Sequence, residues 1–198
     1  MPKSELKHAC FISYKRPPKK CRTPHFFFSN FAKALRDKIE EYLTADIRTF
    51  LDEDLPGGAQ LSSSLSRTVC ESAVMIAVLV PDYLDSDWCR AEWEAMTSLE
   101  TKRKQKELII PVLLDGEEKQ IKRFVNGRKW IDMKKISKTR QLDNVGYRNI
   151  IRDIAHKIDN QVRRIQDAGD DCSTFTFPEG LDPEGRKDIY QDPDPLEQ

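Results

Sequence analysis

Glu92 stands where a carboxylate should be unwelcome. In "DSDWCRAEWE" (Asp85–Glu94), Asp85 and Ser86 form a plausible N-cap pair, so a helix is expected to open there. At about 100° per residue, Trp88, Cys89, Trp93, Met96 and Leu99 then share one apolar arc, with Glu92 inside it and Arg90 and Glu94 outside. An ionisable group on a buried arc is costly unless something in the site rewards it. A fixed carboxylate in such a place is suited to stabilising positive charge that develops beside it. Other chemistry is hard to find. His8, His25 and His156 have no partner at metal or triad spacing, the cysteines form no CxxC pair, and no Gly-rich phosphate loop of the dinucleotide or P-loop type occurs. No metal site and no bound cofactor are expected.

The elements that must position Glu92 follow from periodicity. Short β-rich apolar runs alternate with helical patterns, as in a parallel sheet covered by helices. Strand one is expected over Ala9–Tyr14 and strand two over Ile47–Asp52, with a helix between them that starts at Pro24 behind a Thr23 cap and buries Phe27, Phe31, Leu35, Ile39 and Tyr42. A helix from Gln60 to about Ser72 carries Leu61, Leu65 and Val69 on one face. Strand three, "AVMIAVLV" (Ala73–Val80), is apolar on both faces and therefore central. Strand four is expected over Glu107–Leu114 and a short strand five over Arg128–Met133. The last helix spans about Asp143–Asp167, burying Ile151, Ile154, Ile158, Val162 and Ile165. The predicted fold is α/β: a doubly wound, five-stranded parallel sheet in the flavodoxin-like order 2-1-3-4-5. Ligands of such sheets bind outside the carboxyl ends of strands one and three. There "SYKRPPKK" faces "PDYLDSDWCRAE", which brings Glu92 opposite Tyr14, Lys15 and Arg16.

Composition narrows the class without naming the task. The 198 residues are 38% hydrophobic and 33% charged, with 33 basic and 33 acidic side chains. That balance hides a split: Ala168–Gln198 carries nine acidic residues against Arg186 and Lys187, a net charge of −7, leaving +7 on residues 1–167. The positive part favours an anionic ligand weakly. The Pro- and Gly-containing acidic end has too few apolar residues for a core and reads as a tail, so the expected division is a domain over 1–167 and a tail over 168–198. "KRPPKKCR" has no aromatic platform beside it, so it reads as a solvated basic loop, not a nucleic-acid site. The N-terminus lacks a signal-peptide core and no run reaches membrane-spanning length, which makes the expected setting cytoplasmic, with five reduced cysteines and no membrane partner. A phospho-receiver domain would share the topology, but it needs clustered aspartates where this chain has "SYKR".

Three motifs in register carry a family resemblance. "FISYKR", "FLDEDLPGG" and "SDWCRAEW" stand in the order and spacing of the Toll/interleukin-1 receptor (TIR) domain, over about Lys7 to Asp167. Some TIR domains signal by assembling, and others cleave the nicotinamide–ribose bond of NAD+ with a glutamate at this helix start. The resemblance therefore implies that Glu92 is catalytic and that NAD+ is a substrate, giving nicotinamide and ADP-ribose or a cyclic form of it. Nicotinamide leaves a cationic pyridinium as a neutral group, so the chemical need is stabilisation of an oxocarbenium-like ribose.

Further roles follow from the same likeness. Tyr14 and Trp88 offer faces for the nicotinamide ring, Lys15 and Arg16 charge for the pyrophosphate or the adenosine side, and Asp52 either a partner for that basic pair or a part of the loop. Ser86 would help to aim the helix start. The Asp54–Leu55–Pro56–Gly57–Gly58 loop is similar to one that gates the site and joins neighbouring TIR domains, implying self-association. The whole is similar to a stand-alone bacterial protein of the Thoeris antiphage type, whose product activates a separate effector. A non-catalytic TIR–TIR adaptor and a bacterial effector acting on host TIR signalling are the alternatives.

Overall fold

The computed structural model describes residues 6–15, 24–51, 61–135 and 144–168 together with Cys172 and Phe175, and for residues 24–30 and 61–64 the backbone path. In chain order the elements are β1 (His8–Tyr14), α1 (Pro24–Glu40), β2 (Arg48–Leu51), α2 (Leu61–Cys70), β3 (Ser72–Leu79), α3 (Pro81–Leu84), α4 (Asp87–Arg103), β4 (Ile109–Leu113), α5 (Glu118–Val125), β5 (Ile131–Asp132) and α6 (Val145–Ala168). The strands form one all-parallel sheet in the order β2-β1-β3-β4-β5, as the alternation of apolar runs predicts. Every residue of β3 is buried, in keeping with its two-faced apolar run at the centre. Helices α1 and α6 pack together over one side of the sheet, and α2 packs on α4.

The apolar stripes seat the helices. Phe31, Leu35 and Ile39 of α1 are buried, as are Leu65 and Val69 of α2 and all five expected isoleucines and valines of α6. Asp159, also on the buried side of α6, reaches the turn before β2. It accepts from Thr44 N at 3.1 Å, Thr44 Oγ1 at 2.8 Å and Ala45 N at 3.1 Å, so the donors of the turn between α1 and β2 find an acceptor.

Two expectations need correction, and one helix was not foreseen. Strand five shrinks to Ile131–Asp132, because Asn126 and Gly127 take positive φ (48° and 82°) to end a helix and Arg128 is drawn into a two-pronged ion pair with Glu100 at 2.8 and 2.6 Å. That helix, α5, carries only two buried residues, Ile121 and Val125, in a charged stretch, too few to show a period. The cysteines are not all reduced thiols. Cys70 and Cys172 are joined by a disulfide with Cα atoms 5.7 Å apart, while Cys10 and Cys89 are buried outside any disulfide. The pairing was illegible in the sequence because 102 positions separate its members, and only the return of the chain after α6 to the start of β3 brings them together. Burial pushes the Cys10 thiol up to about 12, so it stays protonated. Asp52 and the Asp54–Gly58 loop lie outside the described residues.

Charged ties also gather at the start of β3. Glu71 accepts from Lys7 and Arg67 Nε at 2.7 Å each, and Arg103 donates to the carbonyls of Cys70 and Ser72. Burial alone would raise the Glu71 carboxyl, but the bonds from Lys7 and Arg67 outweigh it and hold the group below its ordinary value of 4.5. A carboxyl lowered by folding adds stability above its unfolded pKa, and that stability is lost as pH falls through the folded value. Glu71→Gln is therefore expected to cost about 1–2 kcal/mol at pH 7 in urea denaturation. The gap from wild type should close on acidification below 4.5, and a pH-independent gap would contradict the assignment. Reducing the disulfide, which closes a loop of 102 positions, is expected to cost about 4–5 kcal/mol in the chain-entropy limit. The corresponding fall in thermal midpoint is about 10–15 °C. An unchanged midpoint in dithiothreitol would show that the tether adds nothing.

Candidate functional site

The site begins with the local rules that turn the chain after β3. Pro81 opens the single turn of α3 behind Val80, whose extended φ of −136° suits the residue before a proline. Tyr83 N donates to Val80 O at 3.0 Å and Ser86 N to Tyr83 O at 3.2 Å, so the chain reverses within six residues. Ser86 then caps α4, its Oγ accepting from Cys89 N at 3.4 Å. With the helix start fixed, the phase expected from the sequence holds. Trp88, Cys89, Glu92, Trp93, Met96 and Leu99 are buried, while Arg90 and Glu94 are exposed.

Glu92 is only 2% exposed, and its Oε2 accepts a hydrogen bond from the hydroxyl of Ser13. Ser13, wholly buried in β1, lies in register with Ala77 of β3, near the carboxyl ends of both strands. Its Oγ is also 2.9 Å from the hydroxyl of Tyr83, again fully buried. Three elements (β1, α3 and α4) thus converge through polar atoms on one carboxylate. Burial, then the neighbouring Cys89 and Glu92, push the Tyr83 hydroxyl well above its ordinary value of 10, so it keeps its proton.

An aromatic wall lies beside this cluster. Phe124 meets Tyr83 edge-on at 6.1 Å and Trp93 at 4.7 Å, and the Arg128 guanidinium sits 5.8 Å from the Trp93 ring centre. At the helix start, Arg90 pairs with Asp87 at the surface.

Of the residues singled out in the sequence, Ser86, Trp88 and Glu92 come together on the first turns of α4. Trp88 is 7% exposed. Tyr14 ends β1 beside Val78 and is 5% exposed, and Lys15 follows it, half-buried. Alternation along β1 directs Tyr14 away from the sheet face that Ser13 presents to Glu92. Arg16, Asp52, Asp54, Leu55, Pro56, Gly57 and Gly58 lie outside the described residues. The sequence reading passed over Ser13, which holds Glu92, and Tyr83, which holds Ser13. Ser13 carried a signal, a hydroxyl inside the otherwise apolar run "ACFISY". Tyr83 sits 70 residues farther on and carried none. Among the described residues, no group of three His, Cys, Asp or Glu side chains could hold a metal ion. No helix there is long and apolar enough to cross a membrane.

Comparison with known proteins supplies the family. No curated protein matches the sequence. A metazoan TIR-STING receptor from C. gigas, solved with 2′,3′-cGAMP, is similar in structure: TM-score 0.50 and 18% identity over 82% of this chain and 41% of that one. The TIR domain of the Toll-related receptor TRR-2 from Hydra magnipapillata gives 0.49 and 21%, over 74% of this chain and 98% of that one. The TIR domains of the activated Roq1 resistosome, which recognises the pathogen effector XopQ, give 0.39 and 23%, over 77% and 84%. Likeness at such identities speaks to fold alone. The family model described as TIR domain matches residues 11–148, from inside β1 to the start of α6. That stretch is well over half of the sequence and holds Ser13, Tyr83 and Glu92, so the chain belongs to the TIR domain family.

Proposed function

We propose that this protein cleaves the nicotinamide–ribose bond of NAD+, with Glu92 as the catalytic residue. The observation that carries the reading is the burial of the Glu92 carboxylate, hydrogen-bonded to Ser13, at the carboxyl ends of β1 and β3. Bond breaking turns a cationic pyridinium into neutral nicotinamide and moves positive charge onto the ribose. A carboxylate held in a low-dielectric place attracts that charge more strongly than one in water and need not reorganise to do so. Ribose hydroxyls donating to the same group would orient the sugar.

The remaining roles belong to this proposal. Trp88 borders the nicotinamide, Lys15 and Arg16 take the pyrophosphate, Asp52 steadies that basic pair and Ser86 sets the direction of α4. The Asp54–Gly58 loop gates the site or joins a second TIR domain. The product is ADP-ribose or a cyclic isomer, and in an antiphage setting of the Thoeris type it would activate a separate effector. The domain runs over 1–167, and the acidic tail over 168–198 is outside the catalytic unit. A cytoplasmic setting supplies NAD+, and there the Cys70–Cys172 bond has to compete with a thiol pool that opens such bonds.

One observation favours a second reading. At 2% exposure Glu92 also serves as a tie between α4 and β1, as it would in a TIR domain that only assembles with others. Incubation with NAD+, in dilute and in crowded buffer, separates the two. The enzyme reading expects nicotinamide release that falls by at least about 100-fold in Glu92→Ala, with the circular dichroism of the fold retained. An inert wild type under both conditions would leave assembly as the function, and undiminished release by the variant would remove Glu92 from the mechanism.

A further inference from the structure

Proton accounting in the buried cluster assigns a role to each hydroxyl. Ser13 donates to Glu92 Oε2, and that bond uses the one proton that Ser13 owns. The contact of 2.9 Å between Ser13 Oγ and the Tyr83 hydroxyl must then run from Tyr83 to Ser13. The result is a directed chain, Tyr83 to Ser13 to Glu92, in which each hydroxyl has one orientation and the last acceptor is the carboxylate. All three residues are at most 2% exposed, which suits a chain sustained by its own partners. Its anchors differ in kind. Ser13 sits on the rigid central sheet, and Tyr83 sits on the one-turn helix that also leads into the Ser86 cap of α4.

We infer that Ser13 is a positioning residue for Glu92, and that the Tyr83 hydroxyl sets Ser13's proton toward the carboxylate. The inference deepens the NAD+-cleaving reading and rests on it. A helix-borne glutamate has three rotatable side-chain bonds, and one bond from the sheet removes most of that freedom before substrate arrives. The loss on removing it should therefore fall on the chemical step rather than on substrate binding.

Ser13→Ala is expected to lower kcat for nicotinamide release by about 100-fold while KM stays within about threefold. Tyr83→Phe keeps the ring against Phe124 and removes only the hydroxyl. It should lower kcat by about fivefold, the worth of one hydrogen bond. Ser13→Cys separates positioning from packing. It is close to serine in size but a weak donor, so positioning predicts a loss like that of alanine, whereas a packing role predicts near-wild-type rates. Near-wild-type kcat in Ser13→Cys and Tyr83→Phe would overturn the inference, as would a loss confined to KM.

A double-mutant cycle in urea with Ser13→Ala and Glu92→Ala, each of which removes the bond, reads it without turnover. Non-additivity by a factor of about 5–30 in the unfolding constant is expected, and additive effects would overturn the inference. If the wild type releases no nicotinamide, the enzymatic reading fails. The cycle then decides alone whether Ser13 and Glu92 act as a unit.

Discussion

The hydrogen bond from Ser13 to Glu92 is the constraint around which this end of the molecule is arranged. A parallel sheet covered on both faces leaves little room for an ion, and an unpartnered carboxylate there would be costly. Once Glu92 is on the buried arc of α4, the helix must start at one place and lie at one height on the sheet. Pro81, the turn through Tyr83 and the Ser86 cap bring this about in six residues. Each is a local device of modest worth, and together they leave the carboxylate little freedom in rotation or translation.

The two ends of the sheet differ in how they are held. At the start of β3 the ties are ionic and covalent: Lys7 and Arg67 on Glu71, Arg103 on two carbonyls, and the Cys70–Cys172 bridge. At the carboxyl ends the tie is a chain of hydroxyls, with Tyr83 on Ser13 and Ser13 on the Glu92 carboxylate.

Much of the frame was legible because it rests on periodicity. The all-buried run of β3, the stripe on α6 and the phase of α4 each followed from the spacing of apolar residues, and the strand order followed from the alternation of elements. What escaped notice rests on contacts between residues far apart in sequence. Ser13 reaches Glu92 across 79 positions and Tyr83 reaches Ser13 across 70, and each looks ordinary alone: a serine in a strand and a tyrosine after a proline. Helix α5 escaped because two buried residues in eight do not make a period, and the disulfide because nothing local marks its partner. Glu92 itself was legible as an oddity of phase. NAD+ came from the resemblance of three motifs, not from that phase.

The central claim is that the negative charge on Glu92, and not merely its bulk or its bond to Ser13, carries the chemistry. Glu92→Gln isolates that charge, since the amide has nearly the same size and its oxygen can still accept from Ser13. Nicotinamide release under single-turnover conditions, compared between folded wild-type and Glu92→Gln protein, is the most direct measurement. The account predicts release by the wild type and a fall of at least about 100-fold in the variant. Release by Glu92→Gln within about threefold of wild type would contradict it, because a neutral side chain would then suffice.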